Sequence, residues 1–500
     1  MKRILLIAFT TFATLLTVEA QEVKNIIFLI GDGMGLASAS MMQLENNYEP
    51  TIFDSADNIA LQKTYSLDNR VTDSAASGTA LATGFKTNNT MLGQLPDGTN
   101  PESLMELAAD KGKATGLVVT TYLQHATPGA FYAHVPSRHE YATISEQLLA
   151  SDIDIAIGGG MAFFEERYGF KKCLLTTSCT DALEMAAILC DIQPGDEVIV
   201  PSYTFVSSAL AFVRAGAKIV FADSMKENPN IDAEKIEALI TPRTKAIVPV
   251  HYAGVACDMD RIMEIAEKHN LIVVEDAAQA IDSFYKDRPL GSIGHLSAFS
   301  FHETKNIIAG EGGMLCINDE RFIRRAEIIW EKGTNRAEFF RGEVNKYGWV
   351  DTGSSFLPSE VIAAFLWAQL EHMDDIQARR KHLWELYYSN LSPLASSPNS
   401  LIALPSLPEY ATNNAHMFYL VCKSLEQRTA LIKHLKDNGI QAVFHYLSLH
   451  SSPYYMDKHD GRALLECDRY ADCLVRLPMF YDLKDEQVID ICNTINAFFA

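Results

Sequence analysis

Four short segments in the second half of the chain carry side chains that could hold a planar, phosphorylated cofactor. Lys305 follows an apolar strand, and Asp276 ends another, where a buried carboxylate needs a cationic partner. Phe205 follows a third strand and could stack on a ring. The segment Thr177–Thr180 opens a predicted helix, whose N–H groups and hydroxyls could bind a phosphate.

A lysine, an acid, a stacking aromatic and a phosphate cup are the set that pyridoxal phosphate requires. Each residue alone has a commoner explanation. A lysine is usually a surface cation, a phenylalanine is usually part of the core, and an aspartate is usually a helix N-cap. Their occurrence together, each at a strand end or helix start, favours the cofactor site.

A second group of reactive residues lies in the first third of the chain. Asp32 follows an apolar run and could ligate a metal. Ser74 lies at the N-terminus of a predicted helix, where the backbone N–H groups favour an anion. His125 and Thr127 offer a metal-site neighbourhood, and Arg138 could bind a phosphate through two hydrogen bonds. Taken singly, such residues are usually turn residues, N-caps or solvated charges.

The elements around the second-half residues alternate regularly between strand and helix. The predicted strands are Cys173–Thr176, Glu197–Pro201, Lys218–Ala222, Ala246–His251 and Leu271–Glu275, and the predicted helices are Thr180–Cys190, Ala233–Leu239 and Asp260–His269. This alternation predicts a mainly parallel sheet covered on both faces, with ligands at the carboxyl ends of the strands.

The two ends of the chain have different patterns. Toward the C-terminus, the sequence predicts a smaller α+β region with strands Met417–Cys422 and Gln441–His445 and helices Arg428–Asp437 and Glu486–Phe498. Toward the N-terminus, the apolar runs Val23–Ile30, Ala114–Thr121 and Ile153–Ile157 predict buried strands of a separate α/β layer.

Composition limits the possible functions. The 500 residues suggest two to four domains, and 48% hydrophobic with 21% charged residues is globular composition. The net charge of −21 argues against a nucleic-acid-binding protein and against docking on an anionic membrane, because both need basic surfaces.

Signals for the cellular compartment conflict. Lys2 and Arg3 precede the apolar run Ile4–Val18, which predicts a signal peptide over residues 1–20 and a periplasmic or secreted protein with no membrane contact after its removal. All nine cysteines, however, lie from Cys173 onward without paired spacing, which is typical of reduced cytoplasmic thiols.

Residues from about 21 to 164 resemble the N-terminal part of alkaline phosphatase, on the motifs around Asp32, Ser74, His125 and Arg138. The resemblance implies that Asp32 bridges two metals, Ser74 is the nucleophile, Thr127 belongs to the magnesium site with His125 beside it, and Arg138 holds the phosphate. The family's later ligands, including an Asp-x-x-x-His pair, are missing. Zinc and magnesium are therefore expected only if this half were complete, and we expect no phosphatase turnover.

Residues from about 160 to 500 resemble the DegT–StrS family of sugar aminotransferases. The resemblance rests on Phe301–Asn306, Glu331–Arg336 and Asp351–Ser355, and is strongest to the type that forms dTDP-4-amino-4,6-dideoxygalactose. It implies that Lys305 carries pyridoxal 5'-phosphate and that Asp276 pairs with the ring nitrogen. The remaining implied cofactor contacts are Phe205 on the ring, Gln279 near its hydroxyl, and Ser178, Cys179 and Ser300 around the phosphate.

The fold class expected from both resemblances is α/β: a large domain of the aspartate aminotransferase type and a small α+β C-terminal domain, preceded by a truncated alkaline-phosphatase-like α/β segment. The expected boundaries are 1–20 for the signal peptide, 21–162 for the truncated phosphatase-like domain, 163–390 for the large domain and 391–500 for the small domain.

The implied activity is transamination of a 4-keto-6-deoxy nucleotide sugar with glutamate, in surface polysaccharide or lipopolysaccharide biosynthesis, by a homodimer. The family's own N-terminal segment is replaced by the phosphatase-like sequence, so activity could be impaired. The alternatives are a secreted metal-dependent phosphomonoesterase and a chimera without activity.

Overall fold

The computed structural model describes residues 26–31, 62–119, 123–157, 161–396 and 400–500. These residues divide into two compact units. The N-terminal unit contains the described residues up to Gly116 together with Gln124–Ile155, and the C-terminal unit contains Leu117–Leu123 and Ala156–Ala500. The predicted signal peptide and Asp32 lie outside the described residues. In the described ranges, no helix combines the length and apolar character that crossing a bilayer requires.

The N-terminal unit is mainly helical in its described residues. Its helices are α1 (Ser74–Thr83), α2 (Leu104–Asp110), α3 (Ala126–Gly129) and α4 (Tyr141–Ala150). At the boundary between the two units, the three-residue strands β1 (Gly116–Val118) and β2 (Ile155–Ile157) pair as a two-stranded sheet.

The C-terminal unit alternates strands and helices up to residue 317 and is mostly helical afterwards. Its strands are β3 (Lys172–Thr176), β4 (Glu197–Pro201), β5 (Lys218–Ala222), β6 (Thr244–Ile247), β7 (Ile272–Asp276), β8 (Phe284–Tyr285), β9 (Arg288–Pro289), β10 (Leu296–Ser300), β11 (Gly313–Ile317), β12 (Tyr419–Val421) and β13 (Leu474–Arg476). Its helices are α5 (Met161–Tyr168), α6 (Cys179–Leu189), α7 (Ser207–Arg214), α8 (Ala233–Ile236), α9 (Met259–His269), α10 (Ile323–Trp330), α11 (Arg336–Phe340), α12 (Glu360–Glu371), α13 (Met373–Ala395), α14 (Leu425–Asp437), α15 (Leu465–Cys473) and α16 (Asp485–Phe499).

A seven-stranded sheet forms the centre of this unit, with strand order β3-β11-β10-β7-β6-β4-β5. Neighbouring strands from β10 to β5 pair in parallel, whereas β11 pairs antiparallel with both β10 and β3. The mainly parallel sheet predicted from the sequence is therefore confirmed. Because β3, β4, β7 and β10 run in one direction, their carboxyl ends lie at one edge of the sheet.

Two predicted strands are wrong. Residues 26–30, the described part of the Val23–Ile30 run, form no strand, and Leu29 is 87% exposed. The Phe28 ring contacts that of Phe131, with centroids 6.0 Å apart, but Ile26 and Ile27 are exposed like Leu29. Residues 441–445 form no strand either, although Val443 makes an isolated antiparallel bridge to Arg476.

A buried carboxylate fixes the strand that leads to Asp276. Glu275 in β7 is fully buried and accepts a hydrogen bond from His251 Nε2 at 2.9 Å. It also accepts backbone N–H bonds from Gly291 at 2.8 Å, Ile293 at 2.8 Å and Gly294 at 2.5 Å. Burial alone would raise the pKa of Glu275, but the bonds from His251 and these amides hold it below its usual value.

We expect Glu275→Gln to lower the free energy of unfolding at pH 7 by about 3 to 5 kcal/mol, the cost of removing one partner of a buried pair. Because folding lowers the pKa of Glu275, its ionised form stabilises the fold above the ordinary glutamate pKa, and this contribution disappears as the pH falls through the lowered value. Urea unfolding between pH 7 and pH 3 should therefore show a smaller pH dependence in the variant.

The exposed residue Glu264, which pairs with Arg261, provides the control for this measurement. Glu264→Gln should change stability by less than about 1 kcal/mol at either pH. A Glu275→Gln variant with the parent's stability at pH 7 would contradict the structural importance of this network.

Candidate active site

Helix α6 begins at the position where the sequence predicts the phosphate cup. The Ser178 hydroxyl caps this helix by accepting a hydrogen bond from the Asp181 backbone N–H at 3.1 Å. Gly313, opposite Ser300 in the β10–β11 pairing, approaches so closely that an added β-carbon would overlap the backbone of Ser178 and Cys179. The structure therefore brings Ser178, Cys179 and Ser300 together at one end of the site.

Asp276 ends β7 and is 5% exposed. Its Oδ2 accepts a hydrogen bond from Ser208 Oγ at 2.6 Å, and its Oδ1 accepts one from the Ala278 backbone N–H at 3.1 Å. Both bonds fix the direction of the carboxylate. Ser208 lies in the first turn of α7 and was not identified from the sequence, although a hydroxyl three residues after Phe205 is a usable signal.

Phe205 lies between β4 and α7 and keeps 56% of its surface exposed. Its ring centroid is 6.0 Å from that of Tyr446, which belongs to the C-terminal region of the chain. The Tyr446 hydroxyl accepts a hydrogen bond from Gln279 Nε2 at 3.1 Å, and Gln279 Oε1 accepts one from the Ala253 N–H at 2.6 Å. The site therefore includes Tyr446, which local sequence patterns did not reveal.

Lys305 lies in the loop between β10 and β11 and is partly buried. Burial lowers the pKa of its amine, the charges of Cys179 and Asp276 oppose this change, and the charge of Arg476 lowers it further. Among the described residues, no hydrogen bond or ion pair holds this amine. The Cys179 thiol is affected by the same groups. Burial and the charge of Asp276 raise its pKa, and the charge of Lys305 lowers it. The charges of Lys305, Asp276 and Cys179 therefore act on one another.

These residues fit pyridoxal phosphate. Within the described residues, the partly buried amine of Lys305 makes no hydrogen bond or ion pair, Asp276 is oriented by Ser208, and the exposed ring of Phe205 is available for stacking. A helix N-terminus with the Ser178 hydroxyl provides anion-binding groups near Ser300.

In the N-terminal unit, three of the residues around the predicted phosphatase site come together. Asp73 caps α1 directly before Ser74, and its Oδ2 accepts a hydrogen bond from Arg138 Nη1 at 3.4 Å. Arg138 Nη2 lies 3.3 Å from His125 Nε2, and His125 precedes α3, which contains Thr127. The described residues contain no group of three or more His, Cys, Asp or Glu side chains that could hold a metal ion, and Asp32 is not among them.

The chain matches two families, in regions that overlap at residues 161–172. The model of the alkaline phosphatase family matches residues 23–172, and that of the DegT/DnrJ/EryC1/StrS aminotransferase family matches residues 161–496. The spore coat polysaccharide biosynthesis protein SpsC of Bacillus subtilis (strain 168) is 34% identical over 339 residues, covering 65% of this chain and 85% of that protein.

Solved structures of aminotransferases resemble about two thirds of the chain. DesV of S. venezuelae is 32% identical, with a TM-score of 0.61, and the match covers 68% of this chain and 87% of DesV. The aminotransferase of Psychrobacter cryohalolentis is 29% identical, with a TM-score of 0.64, and the match covers 68% of this chain and 90% of that one. Over residues 161–496 the chain belongs to the DegT/DnrJ/EryC1/StrS aminotransferase family.

Proposed function

We propose that the C-terminal unit transfers an amino group from glutamate to the 4-keto carbon of a 6-deoxy nucleotide sugar, as in the formation of dTDP-4-amino-4,6-dideoxygalactose. The observation that carries the proposal is the partly buried Lys305 amine, which makes no hydrogen bond or ion pair within the described residues. It lies in the loop after β10, the strand that pairs in parallel with β7, and β7 ends at Asp276. The similarity to a polysaccharide biosynthesis protein supports a sugar as the acceptor.

Each residue has a distinct task in this reaction. Pyridoxal phosphate, when bound, supplies an electron-accepting ring. Lys305 would bind the cofactor and then move the proton from the donor Cα, a task that its lowered pKa favours because more of the amine is unprotonated. Asp276 would hold a proton on the ring nitrogen, and Ser208 keeps its carboxylate oriented.

The remaining residues bind and orient. Phe205 would cover one face of the ring, and Gln279, fixed by Ala253 and Tyr446, would contact its hydroxyl. Ser178, Ser300 and the first N–H groups of α6 would hold the phosphate.

The proposal is tested with the purified chain, pyridoxal phosphate, glutamate and dTDP-4-keto-6-deoxyglucose. We expect formation of 2-oxoglutarate and of an amino sugar nucleotide, both measured by mass spectrometry, with no amino sugar when glutamate is omitted. Cofactor binding without any product from a panel of keto sugar nucleotides would contradict the proposed acceptor.

We further propose that the N-terminal unit does not hydrolyse phosphate monoesters, because the later metal ligands of the phosphatase family are missing from the sequence. Hydrolysis of p-nitrophenyl phosphate with added zinc and magnesium should equal that of a Ser74→Ala variant. Zinc-dependent hydrolysis that disappears in Ser74→Ala would contradict this proposal and would favour a metal-dependent phosphomonoesterase.

The proposed assembly is a homodimer formed through the C-terminal unit. Exposed apolar side chains support it, among them Trp349, which is 84% exposed, and its neighbours Tyr347 and Val350. Sedimentation equilibrium should give twice the mass of the chain, and a monomer at micromolar concentration would contradict it. Because nucleotide sugars are cytoplasmic metabolites, the proposed activity also requires this unit to remain in the cytoplasm.

A further inference from the structure

Two buried hydroxyls lie in a row behind the Asp276 carboxylate. Thr204 Oγ1 lies 2.9 Å from Ser208 Oγ, and Ser208 Oγ donates to Asp276 Oδ2 at 2.6 Å. All three side chains are buried. Bulk water therefore does not compete for these bonds, and each hydroxyl depends on its partners in the protein.

The number of protons fixes the direction of this row. A hydroxyl has one proton to donate and two positions that accept. Because the Ser208 proton is used in the bond to Asp276, Thr204 is the donor between the two hydroxyls and Ser208 Oγ is the acceptor. Within the described residues, Ser208 is the only hydrogen-bond partner of the Thr204 side chain. The Thr204 hydroxyl therefore serves this one contact.

The two hydroxyls also close the connection between strand β4 and helix α7. Thr204 follows the end of β4 by three residues, and Ser208 is the second residue of α7. Their bond spans four residues and encloses Phe205, whose carbonyl accepts from the Ser208 N–H at 3.2 Å. One side-chain bond and one backbone bond thus determine where Ser208 lies relative to the end of the strand.

We propose that Thr204 is a positioning residue for the half-reaction with glutamate, an inference that rests on the proposed transamination. Its hydroxyl donates to Ser208 and so keeps the Ser208 proton directed at Asp276. In a buried row of hydrogen bonds, each donation also strengthens the next. Without the Thr204 donor, the Ser208 hydroxyl is free to turn to a backbone carbonyl of the preceding turn, as serines near the start of a helix do. One of the two bonds that orient the Asp276 carboxylate would then be lost.

This role differs from one that acts through Phe205, the neighbour of Thr204 in the chain. Phe205 would cover a face of the cofactor ring, so a displaced Phe205 would weaken cofactor binding. Asp276 would act on the ring nitrogen, so a misdirected carboxylate would slow the reaction while the cofactor stays bound. Cofactor affinity and reaction rate therefore distinguish the two roles.

The test compares Thr204→Val, which removes the hydroxyl with little change of shape, with Thr204→Ser, which keeps it. Thr244→Val is the matched control, because Thr244 is also buried but begins β6, at the opposite edge of the parallel sheet. In single turnovers with glutamate, we expect Thr204→Val to be slower by about three- to fivefold, the effect of one neutral hydrogen bond. Thr204→Ser should recover most of this loss, and the control should keep the parent's rate.

A double-mutant cycle shows whether Thr204 acts through Ser208. In the Ser208→Ala background, Thr204→Val should cause no further loss of rate, because the hydroxyl that Thr204 supports is already gone. An equal loss in both backgrounds would overturn the inference. A Thr204→Val variant with the parent's rate would also overturn it, as would a Thr204→Ser variant that is as slow as Thr204→Val.

Two further measurements do not depend on turnover. The dissociation constant of pyridoxal phosphate, measured by equilibrium dialysis, should be the same in Thr204→Val and the parent, and weaker binding would assign Thr204 to Phe205 instead. In the cofactor-free chain, the shifts of the urea midpoint caused by Thr204→Val and Ser208→Ala should be less than additive, because both remove one row of bonds. Additive shifts would overturn the inference. A parent chain that binds no cofactor would contradict the proposed function, and the urea midpoints would still decide whether Thr204 and Ser208 are coupled.

Discussion

Replacing Lys305 with alanine is expected to abolish the absorbance of lysine-bound pyridoxal phosphate and to reduce transamination by at least about 10³-fold, within the range of general acid–base effects. Both results have one cause, since the amine that binds the cofactor would also carry the proton. The fold should persist, because Lys305 lies in a loop and its amine makes no ion pair or hydrogen bond within the described residues. Absorbance spectra, single-turnover kinetics and circular dichroism measure the three outcomes.

Lys171→Ala is the matched control, since Lys171 is exposed and pairs with Glu320 at 3.1 Å. It should retain both the spectrum and the rate. Borohydride reduction of the parent, followed by peptide mass spectrometry, should place the cofactor on the peptide that contains Lys305. A labelled peptide without Lys305, or a Lys305→Ala variant with the parent's spectrum, would contradict the assignment of Lys305 as the cofactor-binding residue.

The sequence predicts a strand correctly where a local apolar pattern coincides with burial in the fold. Strands Glu197–Pro201 and Lys218–Ala222 have the predicted bounds, because strands buried in a parallel sheet appear in the sequence as continuous apolar runs. The same reasoning predicted that Asp276 and Lys305 lie at the carboxyl edge, since β7 and β10 pair in parallel.

The rest of the site depends on contacts between distant parts of the chain. Ser208 meets Asp276 across 68 residues, and Gln279 meets Tyr446 across 167 residues. The first contact forms when helix α7 packs on the sheet beside β7, and the second forms only when the C-terminal region packs on the sheet. The run at residues 26–30 shows the converse, since its apolar pattern predicts burial, whereas Ile26, Ile27 and Leu29 are exposed.

Replacing Asp276 with asparagine should leave cofactor binding largely intact and slow the donor half-reaction by about 10²- to 10⁴-fold. The two side chains have the same shape, so the Ala278 N–H can still donate to Oδ1 and the strand end is preserved. A neutral amide, however, cannot hold a proton on a ring nitrogen, and without that proton the ring is a poor acceptor of the electrons released at the donor Cα. Equilibrium dialysis measures cofactor binding, and stopped-flow absorbance with glutamate measures the rate.

Two further variants separate the charge of Asp276 from its orientation. Ser208→Ala keeps the carboxylate but removes the 2.6 Å hydrogen bond, and should cost about tenfold in rate, as expected for one hydrogen bond to a charged group. Asp260→Asn changes an exposed carboxylate that pairs with Lys286 and Arg288 and should leave the rate unchanged. If Asp276→Asn reacted as fast as Asp260→Asn, Asp276 would not be the residue that protonates the ring, and the graded loss expected for Ser208→Ala would have no basis.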